Sequence, residues 1–335
     1  MQNKLKVGII GMGVGESHIE GFQRHSGCEV VALCDFSDDK FRMCNEKYPH
    51  MKITMNDDDI LQDTEIDIVS IASYDNYHYE QIIKALGNEK HVFVEKPLCM
   101  YESEAIEIRE QIKSNPDLKL SSNLILRQSP RFLYVKNLIE EETFGELYYL
   151  ESDYNYGRIN KITDGWRGKL NFYSVVYGGG VHVVDLLLWL TGETIVEVFS
   201  YGNNISTKNS RFKYNDFVVS ILKFKSGIVG KTACNMGCAF PHFHTLAVYG
   251  TKATFVNGFD KGLLFESRTH NDKPTVITEE YPGVEKGDLL LNFVDSIINN
   301  KQLIVDVDDV FRTMSVCFAM EKSMNLSKAV KVTYL

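Results

Sequence analysis

The stretch Leu5–His18, LKVGIIGMGVGESH, decides the fold, because an apolar run ends in closely spaced glycines and then turns polar. Leu5–Ile10 has the continuously apolar, β-branched character of a strand that is buried on both faces. Gly11 allows a tight turn, Gly13 lets the main chain approach a phosphate, and Val14 leads into a segment with helical spacing. The pattern therefore predicts a strand, a phosphate-binding turn and a helix whose N-terminus faces the phosphate.

The alternation of strand and helix continues through the first hundred residues. Further apolar runs stand at Cys28–Cys34, Ile66–Ala72 and His91–Val94, and segments with helical spacing separate them. Strands that are apolar throughout and alternate with helices indicate a parallel sheet covered on both faces. We therefore expect an α/β domain, a doubly wound Rossmann-type sheet, over residues 1–122.

The second strand ends in Asp35, where the ribose hydroxyls of a dinucleotide would lie. A carboxylate there accepts hydroxyl groups but repels a 2′-phosphate, by about 4 kcal/mol for unit charges ~4 Å apart at an effective dielectric constant of about 20. Phe36, not arginine, follows, so the sequence favours NAD over NADP. The third glycine comes one residue early, as Gly15, and Glu16 stands in its usual place, so we expect a turn one residue shorter.

The fourth strand runs directly into Glu95, Lys96 and Pro97. The carboxyl end of such a strand opens onto the ligand crevice, so Glu95 and Lys96 are candidates for contact with cofactor and substrate. A lysine ammonium group hydrogen-bonds hydroxyl groups, and its pKa responds to burial and to neighbouring charge. Pro97 fixes the chain direction and is a candidate for a cis bond. Taken alone, the residues are also compatible with a solvated Glu-Lys pair that begins a loop.

After residue 122 the pattern changes to strands with few helices between them. The strand-like segments are ELYYLESDYNYG, ETIVEVFSYGN, DFVVSILKF, GIVGKTACNMG and HFHTLAVYGT. They predict an α+β domain over residues 123–335, with a large, mainly antiparallel sheet that is open on one face. Helical spacing returns at about 288–325, and we expect these helices to pack back on the first domain. Open sheets commonly bury their free face against a second copy, which predicts a homodimer or homotetramer.

Three glycines at 178–180 lead into an apolar helix that carries His182 and Asp185 on one face. An imidazole accepts a proton near neutral pH, so His182 is our candidate general base and Asp185 a candidate substrate ligand. Taken alone, a histidine at the head of an apolar helix is more often a capping or core residue. Donors with aromatic surfaces, suited to a polyhydroxylated ring, follow the first strand of the sheet: Tyr154, Asn155, Tyr156, Arg158, Trp166 and Arg167.

Composition excludes several classes of partner. The 335 residues are 44% hydrophobic and carry a net charge of −9, and no Lys- or Arg-rich block is long enough to follow a nucleic-acid backbone. The first apolar run is too short for a signal peptide or a membrane span, and we expect a cytoplasmic protein. The seven cysteines are scattered, which predicts reduced thiols. His242 and His244 lack an acid or cysteine at ligand spacing, so we expect a half-exposed sheet face or subunit contact and no metal.

The chain resembles the Gfo/Idh/MocA family of NAD(P)-dependent oxidoreductases. The matching segments are VGIIGMGVGESH, Asp35, SYDNYH at 73–78, ALGNEKHVFVEKPL at 85–98 and GVHVVDLLLWLTG at 180–192. The resemblance implies that Lys96 contacts the substrate carbinol and the nicotinamide, and that His182 acts as the base. It also implies cofactor contacts from Ser73, Tyr74, His78 and Glu95. On this basis Lys96 and His182 are expected to converge over one nicotinamide face.

One departure from the family concerns Gly178, because sugar and cyclitol dehydrogenases of this group usually have an aspartate four residues before the histidine. Another acid, a tyrosine such as Tyr154 or Tyr156, or Lys96 would then do its work, or the chemistry differs. The leading hypothesis is an NAD-dependent dehydrogenase or reductase for a secondary alcohol of a sugar, cyclitol or nucleotide sugar. Alternatives are glycoside cleavage or elimination through transient oxidation by tightly held NAD, and an NAD-binding sensor without activity.

Overall fold

The computed structural model describes residues 4–335, and their contacts divide the chain into two units. The first unit runs to Ile125 and also includes Glu285–Phe311 and Leu335, and the second comprises Leu126–Val284 and Arg312–Tyr334. The chain therefore leaves the first unit three residues beyond the expected boundary at residue 122, and it returns later.

A parallel sheet forms the centre of the first unit. Its strands are β1 (Leu5–Ile10), β2 (Cys28–Cys34), β3 (Lys52–Thr54), β4 (Ile68–Ile71), β5 (His91–Val94) and β6 (Leu120–Ser122). They pair in parallel in the order β3-β2-β1-β4-β5-β6. The connecting helices are α1 (Gly15–Gln23), α2 (Asp38–Lys47), α3 (Asp58–Leu61), α4 (His78–Gly87) and α5 (Glu102–Ser114). The predicted doubly wound α/β sheet is confirmed, and the sequence analysis missed the three-residue strands β3 and β6.

The second unit contains a larger mixed sheet, shorter helices and most of the last helix of the chain. Its strands are β7 (Leu147–Asn155), β8 (Ile195–Asn203), β9 (Phe217–Phe224), β10 (Val229–Asn235), β11 (Phe243–His244), β12 (Ala247–Gly250), β13 (Thr254–Asn257), β14 (Gly262–Phe265), β15 (Thr275–Ile277) and β16 (Val330–Lys331). The order is β15-β14-β13-β12-β7-β10-β9-β8-β16, with β11 paired to β7. Only β7 and β10 run parallel among the described pairs of this sheet, which confirms a mainly antiparallel arrangement. The shorter helices are α6 (Pro130–Glu140), α7 (Asn160–Thr163) and α8 (Val181–Thr191), and α8 packs on β7.

The last two helices belong to different units. Helix α9 (Asp288–Ile298) lies in the first unit, where the ring of Phe293 is 5.5 Å from that of Phe93. Helix α10 (Val307–Leu326) passes to the second unit at Arg312, whose guanidinium donates to the Glu193 carbonyl at 3.1 Å. The expectation that helices as far as residue 325 pack on the first domain is therefore too wide. The hydrogen bonds that hold the later turns of α10 lead to residues of the second unit.

The described residues include no helix that has both the length and the apolarity to cross a lipid bilayer. All seven cysteines are free thiols, and six of them are buried.

Candidate active site

The glycine turn after β1 has the geometry that close approach of a ligand requires. Gly11 has a φ of +92°, and a Cβ there would overlap the main chain of Ala72, so only glycine fits. Apart from Gly13 and its two chain neighbours, no atom of residues 4–335 lies within 4 Å of the position that a Cβ on Gly13 would take, which leaves the main chain open to a ligand. Val14 is the N-cap of α1, and the Ser17 N–H donates to its carbonyl at 2.9 Å.

The early third glycine packs helix α1 against the sheet. A Cβ on Gly15 would lie 2.8 Å from Cγ2 of Ile9 in β1. Glu16, which occupies the usual place of the glycine, pairs with Lys47 at 2.7 Å. The shorter turn therefore keeps the close contact of helix and strand that the usual spacing provides.

Asp35 joins the end of β2 to the glycine turn. One carboxylate oxygen accepts the Met12 N–H at 2.7 Å, and the other accepts the Ser37 N–H at 2.9 Å. Phe36 is 53% exposed, and its ring lies 5.2 Å from that of Tyr74. An open main chain at Gly13, a helix N-terminus and this carboxylate fit the pyrophosphate and ribose of a dinucleotide.

The loops after β4 and β5 are joined by His78. This side chain is fully buried, its Nδ1 donates to the Pro97 carbonyl at 2.7 Å, and its Nε2 lies 3.2 Å from the Ser73 carbonyl. The Ser73 hydroxyl donates to Gln81 at 2.7 Å. The Lys96-Pro97 bond is cis, as the sequence analysis allowed. His78 therefore fixes the position of the loop that follows Lys96, and its contact with cofactor stays a prediction.

Glu95 is a buried anion that groups of its own unit stabilise. Its carboxylate accepts a hydrogen bond from Asn123 at 2.7 Å and lies 3.5 Å from Nε2 of His18. Burial alone would raise the pKa of Glu95, but the charges of Lys286, His18 and Lys96 and a hydrogen bond from His18 hold it well below its usual range. Lys96 itself is half-buried. These supporting residues are distant from Glu95 in sequence, so no local motif marks them.

In the second unit, a π-helical turn over Val176–Gly180 precedes α8. A Cβ at Gly178 would overlap the Tyr173 hydroxyl, and one at Gly179 would overlap the Tyr154 ring. The three glycines therefore let neighbouring side chains lie directly against the helix that carries His182. The Tyr173 hydroxyl occupies the space that any side chain at position 178 would need.

Tyr154 is the centre of an aromatic cluster that contains His182. Its ring centroid lies 6.2 Å from His182 with nearly parallel planes, and 5.5 Å from Tyr156 in a stacked arrangement. The rings of His242 and His244 are each 5.3 Å from it. Burial raises the pKa of Tyr154, so its phenol stays protonated at neutral pH and serves as a hydrogen-bond donor or acceptor.

Two arginines border this cluster. The Arg158 guanidinium lies 5.2 Å from the Tyr156 ring, and that of Arg167 lies 4.4 Å from the Trp166 ring. Burial has the larger effect and raises the pKa of Tyr154, while the positive charges of Arg167 and Arg158 act in the opposite direction. The structure therefore brings the predicted substrate residues Tyr154, Tyr156, Arg158, Trp166 and Arg167 to the neighbourhood of His182. Whether they contact a substrate stays a prediction.

Asp185 lies in a different environment from His182, although both are on α8. Its carboxylate is 1% exposed and accepts hydrogen bonds from Nε and Nη2 of Arg127 at 3.1 and 2.7 Å. The Thr313 hydroxyl donates to the same carboxylate at 3.3 Å. This geometry is that of a buried structural ion pair, so the predicted contact of Asp185 with substrate gains no support from its surroundings.

The position of His244 differs from the expectation. It is buried, so the expected half-exposed sheet face is wrong for this residue, whereas the alternative of a subunit contact stays a prediction. Its ring lies 6.0 Å from that of His182. The strand β11 pairs with the end of β7, which carries the histidine inward beside Tyr154. Among residues 4–335, no group of three or more His, Cys, Asp or Glu side chains is arranged to hold a metal ion.

Comparison with known proteins supports the arrangement of both units. Residues 5–121 match the oxidoreductase family with an NAD-binding Rossmann fold, and residues 132–256 match the GFO/IDH/MocA C-terminal domain. The myo-inositol 2-dehydrogenase of Thermotoga maritima is 26% identical over 256 residues, which cover 74% of this chain and 73% of that protein.

Two solved structures share the fold over almost the whole chain. The myo-inositol 2-dehydrogenase of Lactobacillus plantarum has a TM-score of 0.84 at 22% identity and covers 99% of this chain and 100% of its own. A levoglucosan dehydrogenase in complex with NADH and levoglucosan has a TM-score of 0.87 at 19% identity, covering 98% of this chain and 100% of its own.

The two family models and the curated dehydrogenases among the relatives identify the chain as an oxidoreductase that acts on CH–OH groups. The chain belongs to the Gfo/Idh/MocA family.

Proposed function

We propose that the protein is an NAD-dependent dehydrogenase or reductase for a secondary alcohol or ketone of a sugar, cyclitol or nucleotide sugar. The observation that carries this proposal is the cluster of Tyr154, Tyr156 and His182, with Arg158 and Arg167 beside it. Phenols, imidazoles and guanidinium groups hydrogen-bond the hydroxyl groups of a polyol, and the flat rings cover its apolar face. The relatives named for inositol and levoglucosan act on molecules of this kind.

Asp35 supports NAD as the cofactor. Its carboxylate stands at the end of β2, fixed by the Met12 and Ser37 amides, and the exposed neighbour Phe36 supplies no charge for a 2′-phosphate. We also propose that the protein is cytoplasmic. All seven cysteines are free, and the cytoplasm is a compartment in which thiols stay reduced.

Lys96 and His182 are the residues that we propose handle the proton. The Lys96 ammonium, half-buried at the end of β5, would donate a hydrogen bond to the reacting oxygen. His182, held against Tyr154, would accept the hydroxyl proton as general base. When bound, NAD supplies the hydride acceptor.

A panel of inositols, simple sugars, levoglucosan and UDP-sugars tests the proposal. With NAD we expect at least one cyclitol or sugar to produce NADH, measured by absorbance, and the same substrate with NADP should give a kcat/KM at least roughly tenfold lower. UDP alone and glycerol are the matched controls for the nucleotide and for a flexible polyol. NADP preferred over NAD would contradict the assignment of Asp35.

The panel also separates the other two hypotheses. Consumption of a glycoside without accumulation of NADH, by protein that retains NAD through purification, would indicate transient oxidation. Binding of NAD with no turnover of any member would indicate a sensor. The first outcome has a specific basis, because the Tyr173 hydroxyl fills the space that a side chain at position 178 would need, so the aspartate that the family resemblance implies there is missing.

We further propose that the free face of the second sheet is covered by another copy of the chain. In the sheet Ile221 lies opposite Phe199 and Lys231, and Val229 lies opposite the exposed Lys223. The other strongly exposed residues of this face are apolar or aromatic: Tyr201 at 62%, Ile221 at 49%, Val276 at 46%, Val229 at 42%, Phe265 at 38% and Val256 at 37%. Such an apolar area on one sheet is typical of an interface between subunits, which supports a homodimer or homotetramer.

Ile221→Asp tests this interface. We expect the wild-type protein to have at least twice the chain mass by light scattering, and the variant to have a smaller mass, because burying a carboxylate in the interface carries a desolvation cost. Ile106→Asp is the matched control, since Ile106 is 43% exposed on α5 of the first unit. A wild-type protein that is monomeric at micromolar concentration would contradict the proposal.

A further inference from the structure

The hydroxyl group of Tyr281 contacts His244 at two atoms, the main-chain nitrogen and the imidazole Nδ1. The Tyr281 oxygen accepts the main-chain N–H of His244 at 2.7 Å, and the same oxygen lies 2.9 Å from Nδ1 of the imidazole. Burial raises the pKa of Tyr281, so the phenol keeps its proton at neutral pH. Because the oxygen already accepts the amide N–H, its own O–H is the group available to donate to Nδ1. A neutral imidazole that accepts at Nδ1 carries its proton on Nε2.

The support for Tyr281 is rigid. Arg131, 1% exposed, lies with its guanidinium 5.5 Å from the Tyr281 ring. This guanidinium donates to the carbonyls of Gly258, Asp260 and Glu279 and to the side-chain oxygen of Asn257, all at 2.7–2.9 Å. Asn257 in turn donates to the His244 carbonyl at 3.0 Å. The phenol, the imidazole and the strand between them are therefore held by one hydrogen-bonded network.

The imidazole lies inside the cluster already described. Its ring is 5.3 Å from Tyr154, 6.0 Å from His182 and 4.9 Å from His242. A general base must gain and lose a proton during the reaction. A second imidazole fixed in one neutral tautomer serves a different purpose, as a directed N–H donor to a hydroxyl or ether oxygen.

We propose that His244 is a substrate-orienting residue, locked by Tyr281 as the neutral tautomer with its proton on Nε2, which donates to an oxygen of the polyol. The donor role rests on the proposed function, whereas the tautomer does not. The two parts are therefore tested separately.

The tautomer is tested by nitrogen-15 NMR of the histidine rings in the intact protein without substrate. We expect a His244 signal, identified by its loss in His244→Gln, with an unprotonated Nδ1 and a protonated Nε2. In Tyr281→Phe this signal should move toward mixed tautomers or the charged ring, and in the control Tyr148→Phe, at an exposed tyrosine, it should not move. A wild-type His244 that carries its proton on Nδ1, or both protons at neutral pH, would overturn the proposal.

The donor role is tested by kinetics on the substrate that the panel identifies. We expect His244→Leu to raise KM for the polyol roughly three- to tenfold, the effect of one lost hydrogen bond, with little change in KM for the cofactor. His244→Gln should restore most of this loss, because its amide N–H can take the place of Nε2–H. Equal KM values for wild type, Leu and Gln variants would overturn the donor role. Failure of the panel would count against the proposed function and leave the NMR result to decide the tautomer.

Discussion

Lys96→Ala is expected to lower kcat by roughly 10²- to 10⁴-fold, the usual contribution of a positioned proton donor or acceptor. Lys96 lies between two residues that are held by hydrogen bonds: the Glu95 carboxylate accepts from Asn123, and the Pro97 carbonyl accepts from His78. None of these contacts needs the ammonium group. The variant should therefore bind NADH, measured by fluorescence, with nearly wild-type affinity while turnover on the panel substrate falls.

Stability is the main control for this experiment. Lys96 is one of several positive neighbours of Glu95, and Lys286, His18 and Asn123 remain in the variant. We therefore expect only a small change in Tm. Lys84→Ala, which removes an exposed lysine paired with Asp58 on the neighbouring helix, should leave both kcat and Tm unchanged. Wild-type turnover in folded Lys96→Ala would remove the catalytic assignment of Glu95-Lys96-Pro97.

The sequence predicts the first unit well because its signals are local. A strand buried on both faces is apolar at every position, so β1, β2 and β5 are found with their observed bounds. The strands β3 and β6 have three residues each, which is too short for any periodic pattern. The three glycines before α8 predict close packing, but the π-helical turn and the Tyr173 hydroxyl beside Gly178 depend on tertiary contacts.

The residues of the candidate site also differ in whether a local sequence signal marks them or only tertiary contacts place them. Lys96, His182 and Tyr154 stand out because a motif or a strand end marks them. The residues that support the site are joined over long separations: Arg131 is 126 positions from Asn257, and Tyr281 is 37 positions from His244. The pairing of the strands determines which polar residues come into contact. A single sequence contains no local signal for such pairings.

Asp185 is the clearest case of a spacing that suggests one role while the contacts indicate another. The interval of three residues places it near His182 along α8, as a substrate ligand beside the base would require. Its carboxylate is nevertheless bonded to Arg127, 58 positions away, and to Thr313, and it is 1% exposed. These partners occupy the carboxylate inside the second unit.

We therefore expect the loss of the Arg127–Asp185 pair to lower the stability of the fold, with any effect on catalysis following from that loss. We expect Asp185→Ala and Arg127→Met each to lower the free energy of unfolding by about 3–5 kcal/mol, because each leaves one buried charge without its partner. The double variant Arg127→Met/Asp185→Leu should recover much of this loss, since it removes both charges and keeps apolar volume. Urea unfolding, followed by circular dichroism, measures all three.

The exposed pair Arg42–Asp39 supplies the matched control, with side chains 70% and 90% exposed, and Asp39→Ala should change the free energy of unfolding by less than about 0.5 kcal/mol. Activity then decides the role of Asp185. If the carboxylate is structural, the double variant regains kcat along with stability, because His182 keeps its place on α8. A stable double variant whose KM for the polyol stays raised would instead make Asp185 a substrate ligand, as its spacing from His182 predicts.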